Sequence, residues 1–453
     1  MDVSHVGNTR LSQQASPLRT SFKDQQKEAS HPKDKVVLGD DSQSDPAVKP
    51  HKKWLFFSYI AGDCNLTKFQ CGNIDQQELA GSDENTHIAA FIDVGPKDAP
   101  IKLGPDPGKW SGAKTFYINK DTEMGRLNPE IVAEHGDHVD MSNPDVMAKA
   151  LIDAIKKFPA DHIAVIFNDH GGGFTGAMSD DSDGGSATMP QIKSALKKVK
   201  DETGRTIDIV GFDACLMGEL EVGYEIKDYA KIMLASEENE GGPGWTYDSM
   251  LGGKTLTQAI STLQLNLNQK KGIDVTPREF AKIVVDVNRQ HNEVIPTFSA
   301  VCLKDLNYVK EAVNDLAQAV IDTKDKQKVK DAIGKTENYG GGWAPYRDIR
   351  DLHHLCTNLE TIEDPALKNA AEKVRKAVEK AVFANENNPK SHPNSHGISI
   401  YAPTQGNLSY DYKELDFSKD TKWDEALESL GVKFSKDGEK PTVWPDGSKR
   451  KNN

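Results

Sequence analysis

The chain has 453 residues, of which 37% are hydrophobic and 28% are charged, and its formal net charge is −13. This composition is typical of a globular protein that is long enough for two or three domain-sized units. The negative charge argues against wholesale binding to nucleic acid or to anionic membranes. We therefore expect no nucleic-acid partner. No run of about 18 consecutive apolar residues is present, so we also expect no membrane span.

The first 50 residues are poor in apolar side chains. Because they bury too little apolar surface to offset the entropy of ordering, we predict a disordered leader over 1–50. This segment lacks the apolar core of a secretory signal peptide, so we expect a cytoplasmic protein or export by another route. The cysteines are Cys64, Cys71, Cys215, Cys302 and Cys356. Their odd number and wide spacing favour a reducing compartment over a disulfide framework.

Apolar runs of strand length alternate with amphipathic helical patterns in the first half. The predicted strands are 54–60, 87–94, 114–118, 162–167, 207–212 and 231–236, and the predicted helices are 144–158, 190–200 and 219–227. Pro144 suits the first turn of its helix, and Ser142 or Asn143 suits the N-cap. This alternation is typical of a mainly parallel sheet with helices on both faces. We therefore predict an α/β domain over 51–250, whose functional residues follow the carboxyl ends of the strands.

Helical patterns dominate the second half of the chain. The predicted helices are 255–270, 277–291, 304–323 and 363–385, and the predicted strands are 297–303 and 396–403. We predict a helix-rich subdomain over 251–432 that packs on the α/β domain and can lend strands to its sheet. A flexible tail is expected over 433–453.

Two polar motifs each follow a predicted buried strand. In NDHGGG (168–173), His170 precedes three glycines, and in DACLM (213–217), Cys215 lies between a strand and a helix. The helix N-terminus would favour the thiolate. Adjacent parallel strands would bring both loops to one sheet edge, where a thiolate beside an imidazole is the minimum for covalent acyl transfer. The N–H groups of Gly171 and Cys215 would then face the developing oxyanion.

Each of these two residues has a plainer interpretation by itself. A cysteine after a strand is usually structural, and an isolated histidine is more often non-catalytic than catalytic. The combination of the two motifs is what predicts catalysis.

The same residues resemble the clostripain family of cysteine endopeptidases, in the caspase-like clan. The matching blocks are NDHGGGF (168–174), GFDACLMGELEVGYEI (211–226), KKWLFFSYIAGDCNL (52–66), ASEENEGGPGWTYD (235–248), RDIRDLHHL (347–355) and HGISIYAP (396–403). The resemblance covers about residues 52–430. It implies a caspase-like three-layer sandwich and a peptidase in which Cys215 is the nucleophile and His170 the acid/base.

The resemblance also implies hydrolysis after Arg or Lys. In that family the Asp two positions before the nucleophile lies in the substrate pocket, and this position is Asp213. A partly desolvated carboxylate rewards a cation and penalises a neutral side chain, although Asp213 has an alternative role as a helix cap. The block 236–248 would form a pocket wall, with Trp245 over the aliphatic stem. Glu237 or Glu238 would add negative potential there, or else serve as a solvated or structural acceptor.

The expected partners are protein or peptide substrates with Arg or Lys before the scissile bond, and the chemistry requires no cofactor. The acidic run of Asp180, Asp181 and Asp183 resembles a calcium loop in composition but lacks EF-hand spacing, so calcium binding and a solvated loop both stay open. Residues 171–190 contain no Lys or Arg, which argues against self-cleavage at the family's usual place. The alternatives to a general endopeptidase are a catalytically silent protein and an enzyme that processes a single partner.

Overall fold

The computed structural model describes residues 48–95, 102–104, 110–245, 275–289, 292–342, 348–408 and 410–434. A nine-stranded sheet organises them. Its strands are β1 (Lys52–Ala61), β2 (Thr86–Asp93), β3 (Ala113–Tyr117), β4 (Glu130–Gly136), β5 (Ala160–Asn168), β6 (Ile207–Asp213), β7 (Ala230–Ala235), β8 (Thr297–Cys302) and β9 (Val382–Asn387). Their spatial order is β9-β8-β7-β6-β5-β1-β2-β3-β4. The strands from β7 to β2 in this order pair in parallel, and the outer pairings on both sides are antiparallel.

Helices cover both faces of this sheet. They are α1 (Thr67–Ala80), α2 (Pro144–Lys157), α3 (Met189–Thr203), α4 (Leu220–Ile226), α5 (Pro277–Asn288), α6 (Leu306–Asp322), α7 (Lys326–Lys335), α8 (Leu352–Leu359), α9 (Pro365–Ala381), α10 (Asp416–Asp420) and α11 (Trp423–Ser429). Helices α1 and α5 pack on one face, and the others contribute to the larger core on the opposite face. Alternate residues of β1 point to the two cores, as the pleat of a strand buried on both faces requires.

The predicted elements of the first half are confirmed within a few residues at their ends. Asn143 is the N-cap of α2, where its side chain accepts a hydrogen bond from the Asp145 N–H. The mainly parallel sheet with helices on both faces is also confirmed.

Two predictions in the second half need correction. The helix predicted over 363–385 ends at Ala381, because Val382–Asn387 forms the edge strand β9 beside β8. The strand predicted within 396–403 is present as Ser399–Tyr401, but it pairs with Ile349–Asp351 in a separate three-stranded sheet.

Several predictions lie outside the described residues. These are the helix over 255–270, the domain boundary at 250, nearly all of the leader 1–50 and nearly all of the tail 433–453. They stay predictions. None of the helices within the described residues is long and apolar enough to cross a membrane. All five cysteines are described, and none forms a disulfide.

Apolar periodicity does not reveal helix α1, because the face that this helix buries is largely polar. Gln70, Asn73, Gln77 and Glu78 are all buried. Gln70 donates to the carbonyl of Asn168 at 3.2 Å, and Gln77 donates to the Ser58 hydroxyl at 3.1 Å. A helix whose buried face is largely polar lacks the apolar stripe on which sequence prediction depends.

Candidate active site

The carboxyl ends of β5 and β6 lie side by side. Asn168 pairs with Asp213 in the parallel register, and the Asp169 N–H donates to the Asp213 carbonyl at 3.2 Å. His170 follows Asn168 by two residues, and Cys215 follows Asp213 by two residues. The sheet therefore brings both to the same edge. A Cβ atom on Gly171 would collide with the Cys215 carbonyl oxygen, so only glycine permits the close approach of the two loops.

The chain turns sharply after Cys215. Leu216 has a φ of 66°, a left-handed conformation that costs a bulky residue about 1–3 kcal/mol and is concentrated at functional sites. The Leu216 N–H donates to the Glu238 carbonyl at 3.2 Å, which fixes the turn. The thiol is half-buried at this corner, and its Sγ accepts a hydrogen bond from the Glu240 N–H at 3.3 Å.

The expected stabilisation of the thiolate by a helix N-terminus is not found. Helix α4 begins only at Leu220, and Glu219 occupies its N-cap position. Burial instead raises the pKa of the Cys215 thiol to about 12, and the hydrogen bond from Glu240 opposes that rise only in part. The thiol is therefore protonated at neutral pH in this conformation, and a base must remove the proton during reaction.

The His170 side chain is held by the loop that follows β1. Its Nε2 lies 2.8 Å from Oδ1 of Asn65. Beneath it, the buried Asp169 carboxylate accepts from the Ser179 N–H and hydroxyl and from the Cys64 thiol, the last at 3.2 Å. Sequence reasoning does not single out Asn65, although its position just beyond the carboxyl end of a central parallel strand is the available signal.

Asp213 is buried at the end of β6. Its carboxylate accepts hydrogen bonds from the Asn168 side chain and from the Trp245 N–H, the latter at 3.0 Å. It does not cap α4, which begins at Leu220 with Glu219 at the N-cap. The capping alternative is therefore not realised, and the carboxylate is held on the same side of the sheet edge as Cys215.

The glutamate beside Asp213 is Glu240, which sequence reasoning missed. Burial and the Asp213 carboxylate raise the pKa of Glu240 well above its usual range. The Trp245 indole N–H lies 3.4 Å from Glu240 Oε1. The Trp245 ring is buried against Phe298, with ring centroids 4.9 Å apart, and it also packs over Gly211. The indole ring thus fills the wall of this region. The backbone N–H of Trp245 contacts Asp213, and its indole N–H contacts Glu240.

Glu237 and Glu238 have other partners. Glu237 is fully buried and accepts from the Gly397 N–H at 2.9 Å. Glu238 accepts from the Gly340 N–H at 2.9 Å and pairs with His392 at 3.1 Å. Both glutamates therefore connect the segment after β7 to the C-terminal half, and neither is brought to the Asp213 carboxylate by a described contact.

Of the three calcium candidates, two come together. Oxygens of Asp180 and Asp183 lie within 4.8 Å of each other and of an oxygen of Asp63, whereas Asp181 contributes its N–H to the Asp63 carbonyl. Burial and the neighbouring acids raise the pKa of Asp93 to about 8, and burial raises that of Asp180 to about 6. One carboxylate oxygen each of Asp63 and Asp93 is buried without a hydrogen-bond partner among the described residues. These oxygen donors fit a hard cation such as Ca²⁺.

The chain is similar to known proteins in both sequence and fold. The model of the clostripain family, peptidase C11, matches residues 58–430. Clostripain from Hathewaya histolytica is 24% identical over 404 residues, which cover 78% of this chain and 75% of that protein. A secreted C11 cysteine protease from Bacteroides thetaiotaomicron, solved with an irreversible peptide inhibitor, aligns with a TM-score of 0.59 at 18% identity, covering 82% of this chain and 99% of that chain.

An inactive zymogen C11 protease from Parabacteroides distasonis aligns similarly. Its TM-score is 0.57 at 15% identity, and the alignment covers 83% of this chain and 99% of that chain. The two solved structures share the mainly parallel sheet flanked by helices, which identifies the fold as the caspase-like sandwich. Since the family model spans most of the chain and the fold agrees, the chain belongs to the clostripain family and is a cysteine peptidase.

Proposed function

We propose that the chain hydrolyses peptide bonds after Arg or Lys through a dyad of Cys215 and His170. The observation that carries this proposal is the pairing of Asn168 with Asp213, which brings both candidate catalytic residues to one sheet edge beside a buried carboxylate. A cationic side chain of the substrate would bind to that carboxylate and align the following peptide bond with the thiol.

The reaction requires two transfers at Cys215. In acylation, Sγ attacks the carbonyl carbon, His170 takes the thiol proton, and the carbonyl π electrons move to oxygen. The N–H groups of Gly171 and Cys215 would stabilise this oxyanion. The backbone bridge between Gly171 and Ala177 supports this assignment. Its hydrogen bonds use the N–H groups of Gly172 and Met178, so the bridge itself does not use the Gly171 N–H. Collapse of the oxyanion expels the amine, which His170 protonates, and leaves a thioester.

Deacylation reverses the roles. A water molecule gives its proton to His170 and attacks the thioester carbonyl, and the Cys215 sulfur leaves and regains the proton. Because burial keeps the resting thiol protonated, His170 acts as a general base in the first step, with no preformed thiolate to rely on.

The basic preference would come from Asp213 together with Glu240. A bound guanidinium or ammonium group favours the ionised form of both acids. The cation would therefore gain favourable electrostatic interactions that a neutral side chain would not.

The direct test measures turnover of short fluorogenic peptides with Arg, Lys or Ala before the scissile bond. Freshly reduced protein should cleave the Arg and Lys peptides, and Cys215→Ala should cleave none of them. Cys302→Ala is the matched control, because this half-buried cysteine lies at the end of β8 and has no assigned role. Absence of turnover by the reduced protein, with and without calcium, would refute the proposal.

We also propose that Ca²⁺ binds to Asp63, Asp180 and Asp183, with Asp93 behind them. The two buried carboxylate oxygens without partners support this site, since an uncompensated buried acid is costly and a cation removes that cost. The site would stabilise the loops on both sides of the active site, and it supplies no step of the hydrolysis.

A further inference from the structure

A separate cluster of metal-binding side chains lies where helix α8 begins. One ring nitrogen each of His353 and His396 and one carboxylate oxygen of Asp351 lie within 4.8 Å of one another. The two imidazoles stack with their centroids 4.0 Å apart, and His396 Nδ1 is 3.1 Å from Asp351 Oδ1. Two imidazoles with one carboxylate are a donor set that divalent transition metals prefer.

The hydrogen bonds of His353 prepare one of its nitrogens for a ligand role. Its Nε2 lies 3.2 Å from the Glu379 carboxylate, and Arg375 donates to the same oxygen at 2.7 Å. Since a carboxylate accepts only, it selects the tautomer with the proton on Nε2. The lone pair is then on Nδ1, which is buried and has no hydrogen-bond partner among the described residues. A carboxylate behind an imidazole is the usual outer arrangement of metal-binding histidines.

The exposure of the cluster also suits an ion. Asp351 is fully buried, whereas the His396 side chain is 38% exposed and gives the ion a route from solvent.

We propose that Asp351, His353 and His396 bind a divalent transition metal, with Zn²⁺ as the best match. Two nitrogens and one oxygen suit zinc, with water as a fourth ligand, whereas Ca²⁺ and Mg²⁺ prefer all-oxygen sites. This proposal does not depend on the peptidase reaction.

The site would brace the segment that contacts the catalytic thiol. Neighbouring backbone groups link the site to this segment, since the His396 N–H donates to Asp351 and the Gly397 N–H donates to Glu237 at 2.9 Å. Glu237 begins the segment whose Glu240 N–H donates to Cys215 Sγ. The metal would therefore have a structural role, linking the C-terminal half to the loop beside Cys215.

The test uses the full chain with Cys215→Ala, so that the catalytic thiol cannot take up zinc. After removal of metal with a chelator, Zn²⁺ is titrated by calorimetry, and Co²⁺ is added to a second sample for its visible absorption. We expect one Zn²⁺ per chain, with affinity lowered at least about tenfold by His353→Ala and by His396→Ala. His354→Ala is the matched control, since its Nδ1 instead accepts from the Glu337 N–H at 3.0 Å.

A second control excludes the other mixed cluster, in which Cys64 and Asp169 lie beside His170. If His170→Ala abolishes zinc binding while His353→Ala and His396→Ala retain it, the proposal is overturned. It is equally overturned if no zinc binds to the Cys215→Ala chain. Thermal unfolding of each metal-free variant shows whether it folds. If His353→Ala does not fold, His396→Ala still decides the test, because it removes a partly exposed ring.

Discussion

Glu240 and Asp213 are adjacent carboxyl groups, and Trp245 donates a hydrogen bond to each of them. Burial and the charge of Asp213 raise the pKa of Glu240 well above its usual range. In the proposed function, Asp213 is the carboxylate that meets the basic side chain of the substrate, and Glu240 is a second acid beside it.

Replacement of Asp213 should remove most of the proposed basic preference. In Asp213→Asn we expect the ratio of kcat/KM for Arg over Ala peptides to fall roughly 30- to 150-fold, which corresponds to about 2–3 kcal/mol for a charged hydrogen bond. Glu240→Gln removes the second acid without changing its shape, and it should lower the ratio by a smaller factor, since its raised pKa makes Glu240 the weaker source of negative charge. A ratio that survives in Asp213→Asn would locate the specificity pocket elsewhere.

The reactivity of the resting thiol should report the raised pKa of Cys215. Since that pKa is about 12, the thiolate fraction should rise about tenfold for each pH unit between pH 7 and pH 9. Alkylation of Cys215 by iodoacetamide, followed by mass spectrometry of its peptide, should show this rise without a plateau. A plateau beginning near pH 6 would instead indicate a preformed ion pair with His170.

Asn65 should act as a positioning residue for His170. Removal of its hydrogen bond in Asn65→Ala should lower kcat by about tenfold and leave KM nearly unchanged, since the bond orients the ring and does not bind substrate. Asn65→Asp should restore much of the rate and shift the acidic limb of the pH profile upward, because a carboxylate favours the imidazolium. A loss confined to KM would show that Asn65 contacts substrate instead.

The acidic cluster of Asp63, Asp93, Asp180 and Asp183 should make thermal stability depend on pH and on calcium. The folded-state pKa values of Asp93 and Asp180, about 8 and about 6, exceed that of an unfolded aspartate. The folded state therefore binds more protons, and without metal its stability should fall as the pH rises from about 4 to 8. Millimolar Ca²⁺ should raise Tm more at pH 8 than at pH 5. In the double variant Asp63→Asn/Asp180→Asn, which removes two of the proposed ligands, the increase of Tm by calcium should disappear.

The fold of the first half follows from sequence because its apolar runs and amphipathic helices each match one regular period. Helix α1 is not predicted, since its buried face carries polar side chains such as Gln70 and Gln77 and so has no apolar stripe. The strand at Val382–Asn387 is also not predicted, because its pairing with β8 is a tertiary interaction that overrides a continuing helical pattern.

The candidate site divides in the same way. His170, Cys215 and Asp213 follow strands directly, so their position relative to the sheet is predictable from local sequence. Asn65 and Glu240 reach the site through loops whose course depends on long-range packing. Glu237, by contrast, is an acid in the segment predicted to form the pocket wall, but its carboxylate accepts from the Gly397 N–H instead. Charge alone does not determine which glutamate in an acidic loop faces a ligand.

The antiparallel pairing of β8 with β7 has a practical consequence for dissecting the protein. A fragment that ends before Thr297 would keep every residue of the proposed dyad but would uncover β7, whose backbone and apolar side chains are buried in the intact chain. An uncovered apolar edge strand is a template for intermolecular pairing, so we expect such a fragment to aggregate. The proposed dyad lies in the first half, but we expect the solubility of that half to depend on a strand from the second.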